Sequence, residues 1–234
     1  MLSRDSDKKF LHDPEFGDIE LRRVRGSFVR LKIETDGRVV AQLPKYGGRL
    51  KDVEKLLNEN REKLRKNFAK SAATKIYADG DKIGKSHILH LKNGARNDIS
   101  LKNLDINVTI KTGILEREKQ QLIRDAVAKA LRIEAKAYLP RRLKYLSLQT
   151  GLKYQRVQFV HAKSRWGSCS NSGTISLNIA LMITPNELID YVLLHELNHT
   201  RHMDHSREFW LDLEKICPHA KRKKQWLKQF SPFL

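Results

Sequence analysis

The stretch His195-Glu196-Leu197-Asn198-His199-Thr200-Arg201-His202-Met203-Asp204-His205 decides how the rest of the chain is read. Its first five residues form an H-E-x-x-H motif. On a helix, side chains at i and i+4 project to one side about one turn apart, so the imidazoles of His195 and His199 can share one metal ion. Glu196 follows His195 by roughly 100° of rotation, which sets its carboxylate beside the ion rather than on it. Two ligands with an adjacent general base suit a zinc hydrolase.

The preceding residues supply a helix for the motif. Thr184-Pro185-Asn186-Glu187 reads as a capping box, with Thr184 at N-cap, Pro185 at N1 and Glu187 at N3. Leu188, Ile189, Val192, Leu193, Leu194 and Leu197 then cover most of the circumference, leaving a narrow wet side with Glu187, Asp190 and Arg201. A helix buried this way needs partners for its two histidines and its glutamate, and a metal supplies them.

A catalytic zinc usually takes three protein ligands and keeps one position for water. If the helix ran on, the His202 ring would sit roughly 10 Å along the axis from that of His195, too far to share a tetrahedron easily. His205 serves if the helix stops near Arg201 and the chain turns back. Asp204-His205-Ser206 fits that turn, and Ser206 can cap a following helix, Arg207 to Ile216. His205 is therefore the expected third ligand, with Glu208 or Glu214 as the alternative. His12, His87, His90, His202 and His219 read as surface histidines of a basic protein. His161, on the Val157 face of a strand, reads as a hydrogen-bonded packing residue.

Length and composition bound the rest. The chain has 234 residues, 40% of them hydrophobic, enough for one large domain or two small ones. No apolar run approaches the ~18–20 residues that span a bilayer, so no membrane partner is expected. Met1 to Asp18 is charged and lacks the apolar segment of a signal peptide. Cys169 and Cys217 are too few for a disulfide framework, which favours a reduced, cytoplasmic setting. The net charge of +19 attracts polyanions in a salt-dependent way. It thins between Gly151 and Thr200, where four basic residues face three acidic ones. The run Lys221-Arg222-Lys223-Lys224 reads as the solvated face of a terminal helix.

Along the chain, Val29, Leu31 and Ile33 alternate with Arg30 and Lys32 as in a strand, Asp36-Gly37 signals a hairpin, and Arg38 to Leu43 returns. Arg49 to Lys70 reads as a charged amphipathic helix. Short strands follow near Lys75–Tyr77, His87–Leu91 and Ile99–Ile110, with turns at Asp79-Gly80 and Asn93-Gly94. Residues 1–112 thus read as a small antiparallel sheet with one helix, and Thr112-Gly113 as a boundary to a second region, 113–234. There, Ile114 to Tyr138 is a helical pattern that Pro140 stops or restarts, and Leu143 to Gly151 is a further helix. Arg156–His161 and Thr174–Ala180 read as strands ahead of the metal helix, an α+β arrangement. Phe209, Trp210, Leu213 and Ile216 recur at core spacing, and Cys169 reads as a small apolar residue. No internal repeat is visible.

One ordered set of residues resembles a known family. Ser164-Arg165-Trp166-Gly167-Ser168-Cys169 precedes Ile175-Ser176-Leu177-Asn178, Asp190-Tyr191-Val192, the His195 motif and His205-Ser206-Arg207-Glu208-Phe209-Trp210. In this order they resemble the YgjP-like metal-dependent hydrolases, or YgjP-like metallopeptidases, relatives of SprT-like proteins in the zincin superfamily. The resemblance is strongest over about residues 113–230. It is weaker in the N-terminal half, through Arg23–Ile33 and Tyr77-Ala78-Asp79-Gly80. It implies a zincin-like catalytic half with an active-site helix under a small sheet, His195, His199 and His205 as metal ligands, and Glu196 as general base. The better-known metzincins carry Gly where this chain has His202, which argues against that branch. In zincins an edge strand commonly pairs with extended substrate, so Arg165–Cys169 or Ser176–Asn178 is a candidate edge. Trp166 can wall a pocket and Gly167 permits close backbone approach; Arg165 or Asn178 could support an oxyanion.

Three functions follow as expectations. The first is a zinc-dependent metallopeptidase, an endopeptidase with a polypeptide substrate and one Zn²⁺ per chain, although Mn²⁺, Co²⁺ or Ni²⁺ also suit three histidines. The second is a metal-dependent phosphoanhydride hydrolase acting on nucleotides, which the positive charge favours and the lack of a Gly-rich phosphate cradle disfavours. The third is a nucleic-acid-associated SprT-like protease or binding module, for which no nucleic-acid fold signature is visible.

Overall fold

The computed structural model describes residues 9–33, 39–65 and 76–232. The Asp36-Gly37 turn and residues 66–70 of the helix expected over Arg49–Lys70 lie outside these residues; within them that helix does not run on unbroken but is capped at Asn60. Two compact units divide between Lys75 and Ile76. The boundary expected at Thr112-Gly113 falls inside the second unit, because the strands before it share one core with the long helix after it.

The first unit holds β1 (Lys9–Asp13), β2 (Gly17–Val24), β3 (Arg30–Ile33), β4 (Val39–Pro44) and α1 (Leu50–Glu59). The strand order is β1-β2-β4-β3. β4 is central, and Val39, Val40 and Ala41 are fully buried, as a strand covered on both faces requires. Val53 and Leu57 of α1 belong to the same core.

The second unit opens with β5 (Lys82–Ile83), β6 (His87–Gly94), β7 (Asp98–Lys102) and β8 (Asp105–Lys111). Their order is β5-β6-β8-β7. In each four-stranded sheet the middle pair is parallel and the outer pairs antiparallel. The single antiparallel sheet expected over residues 1–112 is thus two mixed sheets, and the same strand order occurs twice although the sequence shows no repeat. The stretch Ile99–Ile110, expected as one strand, is two: Asn103 at φ 54° turns the chain, and asparagine tolerates that left-handed conformation. Asn93-Gly94 closes β6 rather than forming a turn, and β5 gave no signal of its own.

α2 (Glu116–Thr150) is one continuous helix of 35 residues with Pro140 inside it, not two helices broken at the proline. An interior proline costs about 3 kcal/mol. That cost is outweighed here because Ile123, Val127, Leu131, Ala135 and Leu139 before it, and Leu143 and Leu146 after it, are buried in one core. Gly151 at φ 70° ends the helix in the left-handed conformation, as expected.

β9 (Arg156–Val160), β10 (Gly167–Cys169) and β11 (Thr174–Asn178) form a three-stranded sheet in the order β10-β11-β9. A 3₁₀ segment, Ile179–Ile183, leads into α3 (Asn186–Asn198), followed by α4 (Arg207–Ile216) and α5 (Ala220–Leu227). No helix among the described residues is long and apolar enough to cross a membrane.

One buried contact fastens the β5–β6 turn to α2. The Glu134 carboxylate, on a residue only 8% exposed, accepts from the Lys85 and Ser86 backbone N–H groups at 2.8 and 2.9 Å. It also meets His87 Nδ1 at 2.7 Å. His87 is therefore a buried partner, not the surface histidine its sequence context suggested. Gly84 sits against this carboxylate at φ +63°, and a Cβ there would lie 2.1 Å from Glu134 Oε2. Gly84→Ala is expected to destabilise the second unit by about 2–4 kcal/mol, from strained backbone and a displaced buried carboxylate, read as a lower midpoint in urea unfolding.

Candidate metal centre

α3 is placed by contacts on both sides. Arg142 of α2 makes a bidentate pair with Asp190 of α3 at 2.7 and 2.6 Å, so the expected wet side of this helix is fastened to α2 in part. The Asp190 carboxylate holds the Arg142 guanidinium well above its usual range. Lys85 Nζ donates to the Thr184 carbonyl at 2.6 Å, just before the helix begins. The expected capping box does not form. Pro185 is the N-cap without a side-chain cap, and the Thr184 hydroxyl donates instead to the Leu181 carbonyl at 2.8 Å, because the preceding residues have closed into the 3₁₀ turn.

His195 and Glu196 lie in the last turn of α3, and His199 is its C-cap. The chain then turns through Asp204, and Ser206 caps α4 by accepting from the Phe209 N–H. That turn brings His205 back to the helix end. Ligand-capable atoms of His195, His199 and His205 all lie within 4.8 Å of one another, and the Nε2 atoms of His195 and His205 face each other at 3.0 Å. Phe209, fully buried, places its ring centroid 4.9, 4.6 and 4.9 Å from the three imidazoles. It is the floor on which they converge. Asn198 Nδ2 donates to the Phe209 carbonyl at 2.9 Å, joining α3 to that floor.

The donor set fits a divalent metal. His195 Nδ1 is buried without a hydrogen-bond partner among the described residues. Burial, then the neighbouring His199 and His205, pushes the His195 pKa down to about 3, so the ring stays neutral with a lone pair to give. Burial likewise lowers His205. His199 Nδ1 lies 2.8 Å from the His202 carbonyl oxygen; donation to it leaves Nε2 as the free acceptor, the usual orienting contact of a metal-binding histidine. His202 itself is half-buried, with Nε2 2.8 Å from Asp212 Oδ2. It is neither a ligand nor a free surface histidine, and it steadies the turn that delivers His205. Of the alternative ligands, Glu214 accepts from the His219 and Ala220 N–H groups at 2.6 and 3.1 Å at the start of α5. Glu208 is exposed and outside the triad.

Glu196 is 5% exposed. Burial raises its pKa to about 8, with Arg165 opposing. The carboxylate lies along the β10 backbone at Gly167, where a Cβ would stand 2.7 Å from Glu196 Oε1. β10 is an edge of the sheet and β11 is its centre. Of the two expected edge segments, Gly167–Cys169 therefore has a free side, while Ser176–Asn178 is paired on both. Asn178 is fully buried, and its Nδ2 donates to the carbonyls of Ala162, Arg165 and Pro232 at 2.7, 2.9 and 3.2 Å. It is a structural post for the loop before β10 and has no donor left for an oxyanion. Cys169 is half-buried, its thiol raised by burial and by Glu196.

A cavity of about 380 Å³ opens beside the triad, walled by Trp166, Gly167, Tyr191, Val192, Leu227 and Phe230 and rimmed by Lys224 and Lys228. Trp166 does wall the pocket. Phe209 as floor and the two lysines were not legible in sequence: Phe209 looked like ordinary core, and Lys224 belonged to a run that reads as a solvated face.

A model of the YgjP-like metallopeptidase domain matches residues 28–230. The chain belongs to the YgjP-like metallopeptidase family. The match reaches through the N-terminal half, well beyond the region where the sequence resemblance is strongest. As a member of this family the protein is a metal-dependent hydrolase of the peptidase class. Comparison with curated proteins finds no match. Among solved structures, the metallopeptidase zymogen abylysin of Pyrococcus abyssi is 26% identical, covering 39% of this chain and 93% of that one at a TM-score of 0.36. The zymogen jannalysin of Methanocaldococcus jannaschii is 18% identical, covering 38% and 93% at a TM-score of 0.34.

Gly167→Ala is expected to push the Glu196 side chain out of its place and cut kcat/KM at least about tenfold. The histidines are untouched, so metal content by atomic emission should stay that of the wild type.

Proposed function

We propose that this YgjP-like metallopeptidase is a zinc-dependent endopeptidase in which His195, His199 and His205 hold one Zn²⁺ and Glu196 is the general base. The observation that carries this reading is the convergence of three imidazoles on Phe209 with a single buried carboxylate beside them. Three neutral imidazoles suit Zn²⁺ and leave a coordination position for water or substrate. A bound zinc supplies Lewis acidity and lowers the pKa of water toward ~7.

The protein's own groups do the rest. Burial raises the Glu196 carboxyl to about 8 without a metal; a divalent cation beside it would favour the carboxylate, the form suited to taking a proton from water and passing it to the leaving amine. Its burial against β10 keeps bulk water from it. The free side of β10 offers backbone donors and acceptors to an extended peptide, beside the carboxylate that acts on it.

Glu196→Gln is expected to lower kcat by about 100-fold or more with zinc still bound; full activity in that variant would remove Glu196 from the role of base. His205→Ala is expected to give up zinc to a chelator concentration at which the wild type keeps it. Retention equal to wild type would exclude His205 as a ligand.

A further inference from the structure

No proton-transfer step of the hydrolysis proposed above uses the cationic rim of the cavity. Lys224 lies on α5 and Lys228 one turn later as its C-cap, so the two ammonium groups rise from one side of the helix. Both line the cavity that holds Glu196, His195 and His205. Lys224 Nζ lies 4.6 Å from the Trp210 ring centroid, and that ring stacks at 28° on His205, which holds the charge close to the metal centre. Among the described residues neither lysine is matched with a carboxylate. Lys215, by contrast, is paired with Asp212 at 2.9 Å. Among the described residues the only carboxylate lining the cavity is Glu196, which the reading above commits to the proton transfer.

Two unpaired like charges one turn apart on a helix repel each other, and an anion between them removes that repulsion. The walls below them, Leu227, Val192, Tyr191 and Phe230, are apolar. We infer that Lys224 and Lys228 form a carboxylate-binding subsite, which selects polypeptide substrates that carry an anionic group beside a bulky apolar residue at the scissile bond. The carboxylate comes either from an acidic side chain or from a free peptide C-terminus. This inference rests on the peptidase reading above.

The test uses zinc-loaded full-length protein and two pairs of blocked peptides with a large apolar residue. One pair differs by Glu against Gln, the other by a free C-terminal acid against its amide. The expected result is a kcat/KM about ten- to hundredfold higher for the anionic member of one pair, shrinking as ionic strength rises. The responding pair identifies the source of the carboxylate. In Lys224→Gln/Lys228→Gln the ratio should fall to near one, and Lys224→Arg/Lys228→Arg should restore it. Lys221→Gln/Arg222→Gln, outside the cavity, should leave it as in the wild type. Equal rates within both pairs, or a preference that survives the double glutamine variant, overturns the subsite. A second arm measures binding of the same peptides to zinc-loaded Glu196→Gln protein by calorimetry. If no peptide is cleaved, carboxylate-dependent binding that the double glutamine variant loses upholds the subsite while the peptidase reading fails. Binding with no carboxylate dependence overturns the subsite alone. Hydrolysis of nucleoside triphosphates, with peptides neither cut nor bound, overturns both.

Discussion

The second unit is organised by the need to bury α3. Nine of its thirteen residues are buried, among them Glu196 and Asn198, and a tenth, His195, is half-covered. Apolar burial drives the helix into the core, but it drags polar groups with it, and each needs a partner or costs free energy. Asn198 reaches the Phe209 carbonyl and His199 the His202 carbonyl. Among the described residues His195 Nδ1 and Asn198 Oδ1 have none, and the three imidazoles turn ligand-capable nitrogens toward one point. The candidate metal site is the place where a buried helix collects the polar groups that the hydrophobic core cannot absorb.

Supports for that helix come from distant parts of the chain. Arg142 meets Asp190 from the far half of α2, and Lys85 holds the Thr184 carbonyl from the β5–β6 turn. The same turn is fastened to α2 through Glu134. The β5–β8 sheet therefore bears on α3 along two chains of contact. This explains why the packing boundary precedes that sheet and why α2 runs unbroken through Pro140: stopping the helix there would separate the Glu134 anchor from the Arg142 anchor.

Charge is distributed by fold rather than by sequence window. Residues 151–200 are nearly neutral, which suggests a neutral active site in a basic shell. The cavity nonetheless acquires two ammonium groups, because α5 folds back beside α3 and brings Lys224 and Lys228 to its rim. A positive group near neutral imidazoles reinforces their low pKa values and leaves their lone pairs available.

What the sequence determined by itself was local: the i, i+4 spacing of His195 and His199, the Glu196 offset, the Asp204–Ser206 turn that points to His205, and the Gly151 helix stop. Each depends on backbone geometry over a few residues, so periodicity and capping chemistry reveal it. What only the tertiary structure decided depends on partners far away in sequence. The Thr184 cap was lost to a 3₁₀ turn, Pro140 was overridden by a continuous buried stripe, and His87 was drawn into the core by Glu134. Likewise β10 became the free edge because β11 is paired on both sides, and Phe209 became the floor of the triad because α4 returns beneath α3. Local pattern reports what a segment prefers, whereas burial and pairing report what its neighbours require, and where the two disagree in this protein the larger buried surface prevails.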